Sequence, residues 1–221
     1  MFHHRLIILV TVFLIHQGIP LNAQVSLGVN FGITRTTFSG DQPTNGSFGP
    51  ELGPMAGLRF DYRFTQAVAL SFQPGIMNQG VKYIKVDSNN DVTDSLKYKL
   101  NTLSFPIHAV IWSENGRFFV SAGLQFDYYV DAKAVYPDHS VDITSELKGY
   151  NIYAQFGGGF ILSLGRPYIL FELRYSQGLV DLNNPIFHDE GYLPRTKLTG
   201  LSFMAGFHLP LGKTSHYTIH K

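Results

Sequence analysis

From Gln24 to Leu211 the chain repeats every two residues. Val25, Leu27, Val29, Phe31 and Ile33 alternate with Ser26, Gly28, Asn30, Gly32 and Thr34. Seven further runs follow the same rule, at about 53–63, 67–84, 97–112, 118–131, 150–163, 169–176 and 201–209. Side chains of an extended strand point alternately to its two faces, so this pattern predicts strands with one apolar face and one small or polar face. Most runs exceed the usual length of soluble strands, about 5–6 residues. They reach the roughly 9–11 residues that a tilted strand needs to cross a bilayer.

The connections alternate as well. Phe64-Thr65-Gln66, Ser113-Glu114-Asn115-Gly116 and Leu164-Gly165-Arg166-Pro167 are short enough for hairpins. Between them come four long connections, Arg35 to Leu52, Lys85 to Leu96, Ala134 to Gly149 and Leu179 to Thr196. Transmembrane barrels are built this way, with short turns at the periplasmic end and longer loops outside. Of the 16 acids, the long connections hold Asp41, Glu51, Asp87, Asp91, Asp94, Asp138, Asp142, Glu146, Asp181, Asp189 and Glu190. The loops are therefore expected to be acidic, solvated and external.

Composition decides which face meets what. Charged residues are only 15% of the chain, against about 25% in soluble domains. The non-apolar face is rich in glycine and poor in Lys and Glu, which coat water-exposed sheets. Small residues suit the crowded interior of an eight-stranded barrel. The expected fold is all-β, an eight-stranded antiparallel up-and-down transmembrane β-barrel with its apolar face in lipid. Tyr62, Tyr98, Trp112, Tyr128, Tyr129, Tyr150, Tyr168 and Tyr175 lie near strand ends and are expected in aromatic girdles.

The first residues read differently. Met1-Phe2-His3-His4-Arg5 is weakly positive, Leu6 to Ile15 is almost wholly apolar, and Gly18, Pro20 and Ala23 follow. This is the layout of a secretory signal peptide over residues 1–23, with cleavage expected after Ala23. The apolar run falls short of the about 20 residues that an uncleaved transmembrane anchor needs. The barrel would then occupy 24–211, and a polar tail 212–221. The expected location is the outer membrane of a Gram-negative cell, after export.

The pattern resembles the outer-membrane β-barrel domain family that includes the PorT-like proteins. The residues that carry the resemblance are Val25 to Gly32, Leu100 to Val110 with its central Pro106, Phe118 to Tyr128, and Tyr168 to Gly178 with Glu172 and Arg174. The resemblance covers the whole mature chain and implies an eight-stranded barrel without catalytic residues. One departure concerns the end of the chain: such barrels commonly finish on an aromatic residue, whereas here a polar tail follows Leu211, leaving Phe207 or Leu209 for that role.

Candidate chemistry is sparse. Arg59, Asp61, His108, Asp127, Asp131, Glu172, Arg174 and His208 fall on the inward face. They are expected to form a structural polar network that plugs the lumen, because buried charges must be paired and so small a lumen is too tight for a channel. Asp87-Ser88-Asn89-Asn90-Asp91 mimics a calcium loop but has Val92 and Tyr98 where Gly and Glu are required. Ser104 and His108 are too far apart along one strand for a direct hydrogen bond. Gly157-Gly158-Gly159 lies inside a strand and reads as barrel packing, not as a phosphate loop. With no cysteine and a net charge of +1, thiolate chemistry and nucleic-acid binding are excluded. The expectation is a non-enzymatic, cofactor-free outer-membrane barrel with a structural or interaction role, whose partners are membrane lipid and a protein held by the long loops. The alternatives are an outer-membrane lipid-modifying enzyme and a soluble, lipocalin-like binder with an apolar cavity.

Overall fold

A computed structural model describes residues 24–40, 46–86, 92–144, 148–181 and 196–211. The expected signal peptide, the Asp87–Asp91 segment and the tail 212–221 lie outside the described residues. Ten strands follow in chain order: β1 Gln24–Gly40, β2 Gly46–Arg63, β3 Val68–Phe72, β4 Gly75–Val86, β5 Val92–Trp112, β6 Phe118–Val135, β7 Ser140–Asp142, β8 Tyr150–Ser163, β9 Tyr168–Gly178 and β10 Thr196–Pro210.

Neighbouring strands pair antiparallel, and the pairing closes on itself. β1 lies between β2 and β10. From β10 the order runs through β9, β8 and β6 to β5. β5 then pairs with β3 and β4, and both of these pair with β2. β3 and β4 form one staircase broken at Gln73-Pro74, where Pro74 has no N–H to give. The break is bridged by Gln73 N–H donating to the Pro106 carbonyl and Leu58 N–H donating to the Pro74 carbonyl, both at 2.9 Å. β7 is a three-residue flap on the end of β6. Counting β3–β4 as one and setting β7 aside leaves an eight-stranded closed ring among the described residues, with no free edge.

The short turns are locally specified. Thr65 Oγ1 accepts from the N–H groups of Ala67 and Val68. Gly116 and Gly165 sit at φ 63° and 94°, in the left-handed region that closes each tight turn. At the other end the strands run much further than the apolar alternation indicates: β5 has 21 residues and β2 and β6 have 18 each. The long connections expected at Arg35–Leu52 and Lys85–Leu96 are therefore mostly strand, narrowed to 41–45 and 87–91. Beyond the bilayer the outward face no longer has to be apolar, so the ladder continues after the hydrophobic signal stops.

The two faces are sorted as in a membrane protein. Outward side chains such as Phe31, Leu58, Ile107, Leu124, Phe156 and Phe203 stand exposed on the wall, Phe31 at 63%. Inward side chains are buried and mostly polar in the middle of the barrel. A water-soluble binder with an apolar cavity has the reverse arrangement, and an apolar belt this extensive does not remain in water.

Candidate functional site

Among the described residues, the lumen concentrates buried polar chemistry. Its centre toward the short turns is an ion cluster contributed by β2 and β9. Glu172 stands between two guanidinium groups, with Arg59 Nη1 at 2.8 Å from Oε2 and Arg174 Nη2 at 2.9 Å from Oε1. Arg59 Nε also donates to Asp61 at 2.9 Å, and Ser121 Oγ donates to Glu172 at 3.0 Å. The side chains of Arg59 and Glu172 are 0% exposed. These positions are two apart on each strand, so alternation turns all four charged residues inward.

The cluster fits because Gly157 of β8 carries no side chain beside it. A Cβ at Gly157 would lie 2.7 Å from Ser121 Oγ and 2.9 Å from Glu172 Oε1. A Cβ at Gly28 would overlap the His208 ring, which is stacked on Tyr168 at 5.1 Å between centroids.

Toward the long loops the lumen changes character. Asp127 accepts from Gln79 Nε2 and Gln125 Nε2, each at 2.7 Å, with no cation against it among the described residues. Gln155 Nε2 donates to Gln125 Oε1 at 2.5 Å and to Ser176 Oγ at 2.7 Å. Tyr153 Oη donates to Gln79 Oε1 at 3.1 Å. The two layers are linked by His108 and Gln73. His108 Nε2 lies 2.7 Å from Gln155 Oε1, and Arg174 Nη2 donates to Gln73 Oε1 at 2.7 Å.

Each end of the polar stack is closed by a patch of apolar packing inside the barrel. Ala69, Val110, Trp112, Phe119, Ile161, Tyr168 and Leu170 pack together toward the short turns, with Arg63 lying over the Trp112 ring. Phe38, Val81, Tyr98, Leu100, Tyr129, Tyr153 and Leu198 pack toward the long loops. One expectation changes here. Tyr98, Trp112, Tyr129 and Tyr168 are buried, facing the lumen, while only Tyr62, Tyr128, Tyr150 and Tyr175 stand on the outer wall where a girdle would be. Face parity prevails over proximity to a strand end.

Seven of the eight residues expected in the lumen are buried there: Arg59, Asp61, His108, Asp127, Glu172, Arg174 and His208. Asp131 is a correction. The β5–β6 register shifts so that Asn101 faces Asp131 while Thr102 faces Tyr129. Val130 is thus an extra residue, a β-bulge that reverses the parity of all that follows. Asp131 is carried to the outer rim, where it pairs with Lys133 at 3.3 Å and accepts from Asn101 at 3.0 Å. The residues that the sequence did not single out are the amides, Gln73, Gln79, Gln125, Gln155 and Asn151. Their signal was inward parity, which alternation alone supplies for Gln125, Asn151 and Gln155.

The two lumen histidines are held by amides. His208 Nε2 is 3.0 Å from Asn30 Oδ1 and His108 is held by Gln155 and Gln73. Neither ring is aligned between a serine and an acid among the described residues, nor does any group of three His or acid side chains there suit a metal ion.

Solved structures of similar shape include the attachment invasion locus protein Ail of Yersinia pestis in complex with the heparin analogue sucrose octasulfate. It has 11% identity and a TM-score of 0.46, over 84% of this chain and 99% of that one. OprG from Pseudomonas aeruginosa shares 12% identity at a TM-score of 0.48, over 86% of this chain and 98% of that one. Neisserial surface protein A shares 12% identity at 0.44, over 83% and 96%. No curated protein sequence matches the chain. The model of the outer membrane protein beta-barrel domain family matches residues 17–184. The chain therefore belongs to the outer membrane protein β-barrel domain family.

Proposed function

We propose that the protein is a structural or interaction barrel of the outer membrane, exported behind a signal peptide at 1–23. In this reading its lumen is plugged by its own side chains and its acidic long loops form the contact surface for a protein partner. Within the family this reading groups it with the PorT-like proteins, on the layout of the sequence alone. The observation that carries the reading is Glu172 clasped between Arg59 and Arg174 with no exposed side-chain surface on Arg59 or Glu172. In this reading the charged groups of the lumen pair with one another across it and do not line a water-filled path. What supports a non-enzymatic role is that the lumen histidines, His108 and His208, have amides as their hydrogen-bond partners.

The test is conductance of the full-length chain, refolded and inserted in a planar bilayer. Insertion is checked first by the different gel migration of unheated and boiled samples. A folded barrel with no steady conductance, which begins to conduct when Glu172 and Arg59 are both replaced by alanine, supports the plug. Steady conductance of the unsubstituted barrel sinks it.

A further inference from the structure

The bulge at Val130 has a consequence on the outside of the barrel. Beyond it, four lysines stand on the outer face of three adjacent strands. Lys82 of β4 faces Lys97 of β5, and Lys99 of β5 faces Lys133 of β6. Lys97 and Lys99 are two apart on one strand and so share its face. Like charges directly opposite one another on a sheet are destabilising, and here two such pairs adjoin. The charge is answered unevenly. Lys97 donates to Glu51 at 3.0 Å and Lys133 lies 3.3 Å from Asp131, while Lys82 and Lys99 have no acidic partner among the described residues. On its other side Lys133 faces Asp142 of β7, whereas Lys82 and Lys99 face no acid across the sheet.

We propose that this lysine patch binds the net-anionic phosphate headgroup of a lipid in the surrounding leaflet. Position selects lipid over a soluble polyanion. The patch is on the side wall, and the same faces of the same strands carry Ile76, Leu103, Phe105 and Tyr128 immediately toward the membrane. Lys99 is four residues beyond Leu103, roughly 13 Å along the strand and about 10 Å higher at the usual tilt. The headgroup layer extends about 5–8 Å beyond the hydrocarbon. A flexible lysine stem that lies down along the wall brings its ammonium group into that layer. A phosphate there answers Lys82 and Lys99, which Glu51, Asp131 and Asp142 leave unpaired, and its lipid tails lie against the apolar belt.

This inference rests on the membrane reading above. The test uses the full-length chain refolded in phosphatidylcholine vesicles and then transferred to zwitterionic micelles, with folding checked by gel migration. Lipid retained on the barrel is measured by native mass spectrometry against equal amounts of phosphatidic acid and phosphatidylcholine. The unsubstituted chain is expected to prefer phosphatidic acid by at least about tenfold, and the triple variant Lys82→Gln/Lys99→Gln/Lys133→Gln to lose that preference. Arg35→Gln, an exposed cation off the patch, should keep it. All four substituted positions point outward, so folding is expected to survive, and a Lys→Arg version of the triple variant should restore the preference. Retention that is unchanged in the triple variant overturns the proposal. So does displacement of the lipid by an equal concentration of soluble pyrophosphate, which makes the patch a site for free anions. A chain that never inserts overturns the membrane reading itself, whereas a folded barrel without lipid preference overturns only this patch.

Discussion

On the short-turn side of the lumen, Arg59, Asp61, Glu172 and Arg174 place two cations and two anions against Gly28 and Gly157. On the long-loop side, Asp127 lies among Gln79, Gln125 and Asn151, with Tyr129 and Tyr153 packed above it. Both halves bury polar groups in a tube surrounded by lipid, and both must satisfy them internally. The ionic half does so with few, strong contacts, so that removing one charge leaves its opposite less than fully compensated. The amide half uses groups that both donate and accept, and one loss can be shared among neighbours. Rigidity is therefore expected near the short turns and tolerance near the long loops.

The sharpest test of that difference is Glu172→Gln. It leaves Arg59 and Arg174 without their shared carboxylate in a place that water does not reach. The expected cost is about 3–5 kcal/mol, read from urea unfolding of the barrel in vesicles. Glu172→Met combined with Arg174→Met should recover part of that loss, since it removes both members of one pair while Arg59 keeps Asp61. Next in size is Gly157→Val. Its side chain would enter the space held by Ser121 and the Glu172 carboxylate, and overpacking of this kind costs about 1–3 kcal/mol. If Gly157→Val unfolds no more readily than the parent, the ionic half is looser than the glycine packing implies. Tyr153→Phe probes the other half. It removes one hydroxyl donor from Gln79 and is expected to cost about 0.5–1.5 kcal/mol in the same assay.

The same contrast explains what could be read in advance. Arg59–Asp61 and Glu172–Arg174 are charged residues two apart in long, regular strands, so alternation alone places them inside and their sign makes them pair. The closed ring was equally legible, from eight runs and the alternation of short and long connections. Asp131 was misplaced because Tyr128-Tyr129-Val130 are all good strand formers, and a bulge among them leaves no gap in the apolar pattern. The inward aromatics were misplaced for another reason. Tyr98 and Trp112 have the parity of Thr102 and His108, and parity is the stronger rule wherever the ladder is unbroken. Where the strands leave the membrane, Thr36, Thr37 and Ser39 continue β1 without any hydrophobic signal, and only the pairing with β10 reveals them.

The smallest effect is expected from Asp127→Asn, and it is the one that decides whether the two halves really differ. Asp127 has no guanidinium or ammonium group against it among the described residues, and its partners are the amides of Gln79 and Gln125 at 2.7 Å. An asparagine of the same shape still offers one oxygen to those donors, and the glutamine side chains can turn to accept from its new N–H. The loss should stay below about 1 kcal/mol, the worth of a single exchanged hydrogen bond. Unfolding of Asp127→Asn should therefore overlay that of the parent far more closely than Glu172→Gln does. A cost as large as that of Glu172→Gln would mean that the Asp127 charge is held as tightly as the Glu172 charge. The amide layer would then be a second ionic lock, and the long-loop half of the lumen as intolerant of change as the short-turn half.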